Sequence, residues 1–128
     1  MCIRDSTKRF GASTAVDDLS FEGLALGCDG LLAGLCTAFP AETVALYRLM
    51  QAKRYDEALK LYQWFTPLLH LDVSTKLVQN IKLTEAMVGV GTEHVRRPRM
   101  PLVGAERERV QAIIQKGLDT RPDLRQFF

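Results

Sequence analysis

Two short stretches near the start of the chain, residues 10–16 and 30–36, constrain the possible folds more than any other feature. The second stretch is apolar without alternation, which is typical of a strand buried on both faces in a parallel sheet. Such a strand needs neighbours on both edges, and two strands alone make a poor sheet. The sequence therefore predicts that these 128 residues are the C-terminal part of a larger α/β protein.

A short helix is predicted between the two strands. Asp17 or Ser20 caps its start, and Gly27 ends it, because glycine readily adopts the left-handed conformation found at helix C-termini. Its apolar residues are Leu19, Phe21, Leu24 and Leu26. Because a β–α–β unit is right-handed and parallel by default, this opening predicts the closing end of a repeated βα array.

The rest of the chain has the apolar periodicity of four helices. The first begins at Pro40 and ends near residue 54, and the second begins at residues 55–56. Pro67 is expected to bend or end the second helix, because proline lacks the backbone N–H. The third and fourth are expected over about residues 74–88 and 104–117. The predicted inward-facing residues are Leu46, Leu49, Met50, Ala58, Leu61, Tyr62, Phe65, Leu69, Leu77, Ile81, Thr84, Val88, Val110, Ile113 and Ile114.

Glycine and proline mark the ends of these helices. Gly89 and Gly91 end the third helix, and Gly117 ends the fourth. Residues 96–102 contain two prolines and are predicted to form an extended loop. Residues 119–128 are predicted to be a frayed tail. Its attachment to the rest of the chain is expected to come from the side chains of Phe127 and Phe128.

Composition and charge exclude several classes of protein. The net charge is +2, and the nearest thing to a basic cluster, Arg96, Arg97 and Arg99, is too short to predict a nucleic-acid partner. No apolar run is long enough to cross a bilayer, and the first residues lack the apolar segment of a signal peptide, so no membrane association is predicted. The three cysteines have no framework spacing and are expected to be buried free thiols in a reducing cytoplasm.

No residue identifies a reaction by itself. His70 and His94 have no recognised metal spacing with the cysteines, so no metal site is predicted. The Asp17–Asp18 pair is expected to cap a helix. Lys76 and Lys82 are expected to be solvated on helix surfaces, because an imine-forming lysine needs a desolvated pocket.

Three blocks taken together resemble a known family. They are residues 16–22 leading to 26–30, residues 30–35 followed by Phe39 and Pro40, and residues 95–102. A helix that holds Ile81 and Lys82 precedes the third block. In this order and spacing, over about residues 10–118, they resemble the last third of the dihydrodipicolinate synthase/N-acetylneuraminate lyase family.

The resemblance implies an α/β fold, a (β/α)8 TIM barrel followed by a helical C-terminal domain, so that the chain itself is mostly α. Residues 10–54 would be the last part of the barrel, with 10–16 and 30–36 as its seventh and eighth strands. Residues 55–118 would be the helical domain and 119–128 a tail. Residues 1–9 are expected to be a non-native or unstructured leader.

The resemblance also implies a class I, Schiff-base aldolase or lyase, which joins or cleaves pyruvate and an aldehyde. The imine-forming lysine and a proton-transferring tyrosine would lie upstream, so no catalytic residue, cofactor or metal is expected in this chain. The complete protein would be a cytoplasmic homotetramer. Residues 3–7 are similar to the lysine-bearing motif, but Arg4 stands at the lysine position, and arginine stays protonated, so the likeness is taken as chance.

Two positions correspond to the family's substrate pocket. Ala15 matches a site, usually glycine, whose backbone lies near the keto acid, and Leu32 matches an apolar residue packed on pyruvate. Plain barrel core is an equal alternative for both residues. Residues 77–80 replace an asparagine–proline pair that many synthases carry, which favours a broader aldolase or lyase. The competing interpretation of the whole chain is a non-catalytic helical interaction module.

Overall fold

The computed structural model of the chain describes residues 20–31 and 33–127. Within those ranges the chain forms five α-helices, three short 3-10 helices and no β-strand. The α-helices are α1 (Ser20–Ala25), α2 (Pro40–Gln51), α3 (Tyr55–Leu69), α4 (Leu77–Val88) and α5 (Gly104–Asp119). The 3-10 helices are Gly34–Thr37, His70–Val73 and Leu124–Phe127. The mostly helical content and the four helices after residue 39 confirm the prediction.

Helices α2 and α3 pack against each other and form the centre of the molecule. Pro40 opens α2, where its missing N–H would have had no partner in any case. The chain reverses through Lys53, whose φ of 57° is left-handed. Leu46, Leu49 and Phe65 are completely buried, as their helical spacing predicted. The buried residues of this core are Leu24, Leu35, Ala38, Phe39, Ala45, Leu46, Leu49, Met50, Ala58, Leu61, Tyr62, Phe65, Leu68, Leu69 and Phe127.

A second apolar cluster lies between α4, α5 and the turn before α4. Its buried members are Leu71, Leu83, Leu102, Val110 and Ile114. Ile113 contacts both this cluster and the central core, so α5 joins the two. The two clusters together bury most of the apolar stripes that the sequence shows.

Pro67 does not end α3 at its own position. The helix continues to Leu69 and changes to a 3-10 turn at His70. Leu68 and Leu69 are 0% and 1% exposed, so their burial holds the last turn in place although one backbone hydrogen bond is missing. Of the two predicted effects of Pro67, an end of the helix at that residue is therefore wrong, and a bend stays a prediction.

Helix α4 begins at Leu77, three residues later than predicted. Ser74 lies in a turn, where its hydroxyl oxygen accepts hydrogen bonds from the Lys76 N–H and the Asn80 side chain. Leu77, predicted to face inward, is 41% exposed, because the buried face of α4 is formed by Asn80, Leu83 and Thr84. The helix ends at Gly89, as predicted, with a left-handed φ of 86°.

Gly117 lies inside α5, and the prediction that it ends the helix is wrong. A Cβ at Gly117 would lie 2.9 Å from both terminal carbons of Leu68. The Trp64 indole N–H donates to the Gly117 carbonyl at 3.0 Å. Gly117 therefore serves close packing of α5 on α3, and the helix continues for two more residues.

The last described residues are not frayed, contrary to the prediction, but are docked on the central core. They form the 3-10 turn Leu124–Phe127, and Phe127 is 6% exposed within the central core. The Arg54 guanidinium donates to the Phe127 carbonyl at 2.6 Å. Arg121 pairs with the buried Glu42 in the first turn of α2. The docking role predicted for Phe127 is confirmed, and Phe128 lies outside the described residues.

The start of the chain differs most from the prediction. Helix α1 ends at Ala25, followed by the left-handed Gly27 as predicted, but Leu26 lies beyond the helix and is 87% exposed. Residues 34–36 of the predicted second strand form a 3-10 turn. A strand is held by a ladder of hydrogen bonds to neighbouring strands, and the described ranges offer no such neighbour. The predicted first strand, residues 10–16, lies outside them.

Candidate functional site

The segment that precedes α2 is the part of the predicted pocket wall that the structure describes best. Ala33 and Leu35 are buried, and Leu31 is partly exposed. The Leu35 N–H donates to a carboxylate oxygen of Asp72 at 2.8 Å, across 37 positions of sequence. Asp72 itself is only 4% exposed. A charge-assisted bond in a buried setting is among the stronger polar contacts a backbone can make. It fixes where this segment lies on the helical region.

Gly34 lets the segment approach the helices closely. A Cβ at this position would lie 2.5 Å from Cδ1 of Ile81 and 3.1 Å from Oδ2 of Asp72. A side chain at this position would force the end of the Ile81 side chain to move and would crowd the Asp72 carboxylate. Gly30, in contrast, has no atom within 4 Å of an added Cβ.

Glu85, on α4, contacts the end of the same segment through Thr37. Burial of its carboxyl group opposes ionisation, but side-chain hydrogen bonds with Lys82 and Thr37, together with the charge of Lys82, outweigh this cost, and the pKa of Glu85 lies below its ordinary value. The Lys82 ammonium lies 2.9 Å from Glu85 Oε2. Thr37 ends the 3-10 turn, so this cluster connects the segment to α4.

Neither lysine considered for imine formation lies in an enclosed pocket. The Lys82 side chain is 40% exposed and paired with Glu85, and the Lys76 side chain is 46% exposed and paired with Glu106. An imine-forming amine needs desolvation that these positions do not provide. Both lysines lie at the surface, as predicted, and the structure adds that each forms an ion pair.

The structure does not place the two predicted pocket residues. Ala15 and Leu32 both lie outside the described residues, as do Arg4 and the Asp17–Asp18 pair. Their substrate-binding role stays a prediction. Leu32 is flanked by Leu31 and Ala33, which the structure does describe.

No group of three or more histidine, cysteine, aspartate or glutamate side chains that could hold a metal ion occurs among the residues with described positions. Cys28 and Cys36 are free thiols, each only partly buried, so the prediction of full burial is wrong for them. Arg96, Arg97 and Arg99 are exposed in a loop, as predicted. In the part of the chain that is described, no helix is both long and apolar enough to cross a membrane.

Sequence reasoning missed two buried carboxylates. Asp72 follows Leu68, Leu69 and Leu71 in the sequence, and a carboxylate next to apolar residues is a signal of a side chain that bonds inward. Glu42 precedes Leu46 and Leu49 by four and seven positions, which places it on the buried face of α2. It is 1% exposed and bonds to Arg121 Nε at 2.5 Å. Its partner stands 79 positions away and could not be identified from spacing.

Comparison with known sequences gives a match over most of the chain. The sequence profile described as Dihydrodipicolinate synthetase family matches residues 2–117. Two similar curated proteins are both named 4-hydroxy-tetrahydrodipicolinate synthase. The one from Limosilactobacillus fermentum is 27% identical over 101 residues, which are 79% of this chain and 32% of that protein. The one from Parabacteroides distasonis is 25% identical over 114 residues, 89% of this chain and 38% of that protein. The matched part of this chain thus spans about a third of the length of each relative.

Proposed function

Because the chain belongs to the dihydrodipicolinate synthetase family, we propose that it is the C-terminal part of a class I, Schiff-base lyase or aldolase. The complete enzyme would form or cleave a carbon–carbon bond between pyruvate, or another 2-oxo acid, and an aldehyde. The family match over residues 2–117, combined with coverage of only 32–38% of the relatives' length, is the observation that carries the proposal.

The role proposed for this chain is structural support of the substrate pocket. Ala15 and Leu32 would lie against the keto acid, and the imine-forming lysine and the assisting tyrosine would be supplied upstream. The bond from Leu35 N–H to Asp72 supports this division of roles, because it ties the segment after Leu32 to the helical region. The fold of the whole would be a TIM barrel with the active site at the C-terminal ends of its strands.

The complete protein is further proposed to be a cytoplasmic homotetramer without a cofactor. The family resemblance supports the tetramer. The three cysteines without framework spacing, two of them described as free thiols, support a reducing compartment. Size-exclusion chromatography with light scattering on the complete protein tests the tetramer, and a monomer would contradict it.

Borohydride trapping tests the proposed chemistry. The reading frame upstream of residue 10 is first extended, and it should encode six further strands with a lysine at the end of the sixth. The complete protein, incubated with pyruvate and borohydride, should gain one reduced pyruvyl group per chain on that upstream lysine. The 128-residue chain alone should gain none.

Two results would contradict the proposal. One is a complete protein that gains no adduct, which would exclude imine chemistry. The other is a stoichiometric adduct on Lys76 or Lys82 in the isolated chain, which would place the reactive amine in this region. An upstream region without barrel strands would instead favour the helical interaction module.

A further inference from the structure

A pocket of about 430 Å³ opens between the end of α3, the turn before α4 and the middle of α5. Its position is set by the helical region alone and does not involve residues 30–37. Its floor is apolar and is formed by Pro67, Leu71, Val110 and Ile113. Leu71 and Val110 are 7% and 4% exposed, so the floor is continuous with the second apolar cluster. A concave site of this volume with an apolar floor is typical of small-molecule pockets.

The rim of the pocket is polar and carries one uncompensated positive charge. Lys76, Glu106 and Arg109 all line it. Lys76 and Glu106 form an ion pair with each other, so their charges cancel. Arg109 is exposed, and no carboxylate lies within ion-pairing distance of it among the described residues. Four other exposed arginines, Arg48, Arg96, Arg97 and Arg99, also have no such partner among the described residues, but Arg109 is the one of these five that lines the pocket.

We propose that this pocket binds a small monocarboxylate with an apolar tail. The tail would lie on Val110 and Ile113, and the carboxylate would accept hydrogen bonds from the planar guanidinium of Arg109, which matches a carboxylate in a two-point contact. Ser74 and Thr75 also line the pocket, and their hydroxyl groups are further donors for a carboxylate bound there. The proposal rests on the residues that line this pocket and does not depend on the proposed function.

The pocket favours this ligand class over two others. A fully apolar ligand would leave the Arg109 guanidinium and the rim hydroxyls without the partners that they match. A dianion would bring a second negative charge close to Glu106, whose carboxylate already holds the neighbouring lysine. A single charge attached to a short hydrocarbon chain fits both the rim and the floor.

Calorimetric titration of the complete protein encoded by the gene tests the proposal, with hexanoate as the probe. Acetate lacks the tail and 1-hexanol lacks the charge, so both serve as matched controls. We expect hexanoate to bind with a dissociation constant on the order of 1 mM, since small ligands gain only a limited free energy per atom. Acetate and hexanol should each bind at least about tenfold more weakly, because each lacks one of the two contacts.

Three variants test whether hexanoate binds in this pocket. Arg109→Gln should weaken hexanoate binding by about tenfold, the loss expected for one charge-assisted contact. Arg99→Gln, which removes an exposed arginine outside the pocket, should leave it unchanged. Ile113→Trp, which fills the floor, should abolish it. Saturable binding with this pattern supports the proposal.

Three outcomes would overturn it: no saturable hexanoate binding, equal binding of acetate, or equal binding by the Arg109→Gln variant. Hydrogen exchange of the Ile113→Trp variant, compared with the unchanged protein, shows whether α5 is still folded. If it is not, Thr75→Trp at the exposed rim replaces it, with the same expected loss of binding. Borohydride trapping is read separately, so failure here leaves the proposed imine chemistry unaffected.

Discussion

Helix α3 and the segment Gly34–Thr37 are both buried against the same core, but different forces hold them. In α3 the backbone N–H groups after the first turn, Pro67 aside, bond within the helix, and its apolar stripe recurs at helical spacing. The segment is only four residues long, and a buried backbone bond comes from Asp72, 37 positions away. The helix is therefore specified locally, and the segment is specified by a partner distant in sequence.

This difference determines how far a disturbance should spread. Phe65 contacts Phe39 edge to face with the ring centroids 5.9 Å apart, and it stacks on Trp64. Through Phe39 the ring connects α3 to the start of α2. Asp72, in contrast, connects only two short elements, the 3-10 turn Gly34–Thr37 and the 3-10 turn His70–Val73. Loss of the first contact should weaken the whole molecule, whereas loss of the second should weaken one edge of it.

The largest effect is expected for Phe65→Ala. Phe65 is 0% exposed, and removal of a buried phenyl ring leaves a cavity that costs about 3–5 kcal/mol of the free energy of unfolding. Urea unfolding followed by circular dichroism measures the loss. Leu59→Ala is the matched control on the same helix, because Leu59 is 41% exposed and should cost much less. Equal losses for the two variants would mean that α3 is not packed as described.

A smaller and more local effect is expected for Asp72→Ala. The substitution leaves the buried Leu35 N–H without its acceptor, and an unsatisfied buried donor costs about 1–3 kcal/mol. Hydrogen exchange should show faster exchange of the Leu35 amide, with little change in α3. Asp72→Asn keeps a side-chain oxygen that can accept the bond and should restore much of the protection. If Asp72→Ala leaves Leu35 exchange unchanged, the segment is held by its apolar contacts alone.

The same difference explains which parts of the fold the sequence predicts. The bodies of α2 and α3 follow from apolar periodicity, and Pro40 and Gly89 mark ends correctly because their effects are local. Gly117 was misread as a helix end. In a single sequence, a glycine that ends a helix looks the same as one that allows a close contact, here with Leu68.

The segment at residues 30–36 shows more clearly where prediction of the fold from sequence fails. Its apolar composition fits a buried strand as well as a buried turn, and periodicity cannot distinguish between them over seven residues. The acceptor for Leu35 and the tight contact of Gly34 with Ile81 are both long-range and leave no pattern within the segment itself. The candidate site is predictable to the same extent: the motifs indicate the family, but the partners of Asp72 and Glu42 are identified only in the folded chain.

The smallest effect concerns pH and the contact between the segment and α4. The pKa of Glu85 is lower in the folded state than its ordinary value of 4.5, because hydrogen bonds with Lys82 and Thr37 outweigh the cost of burial. A lowered folded pKa means that the unfolded state binds the proton more readily. The stability that Glu85 contributes is therefore fully present above pH 4.5 and is lost as the pH falls through the folded pKa.

Glu85→Gln should remove this part of the acid sensitivity. At neutral pH the variant should be modestly less stable, because a neutral amide bonds to Lys82 more weakly than a carboxylate does. As the pH falls from 4.5 through the folded pKa, the difference from the unchanged protein should shrink, since Glu85 becomes protonated first in the unfolded state and then in the folded state of the latter. Urea midpoints measured from neutral to acidic pH test this, with Glu108→Gln on the exposed face of α5 as the control. A constant difference between the variant and the unchanged protein at every pH would show that the Lys82 and Thr37 contacts do not act through the charge of Glu85. The segment would then depend on Asp72 and Gly34 for its attachment to the helices.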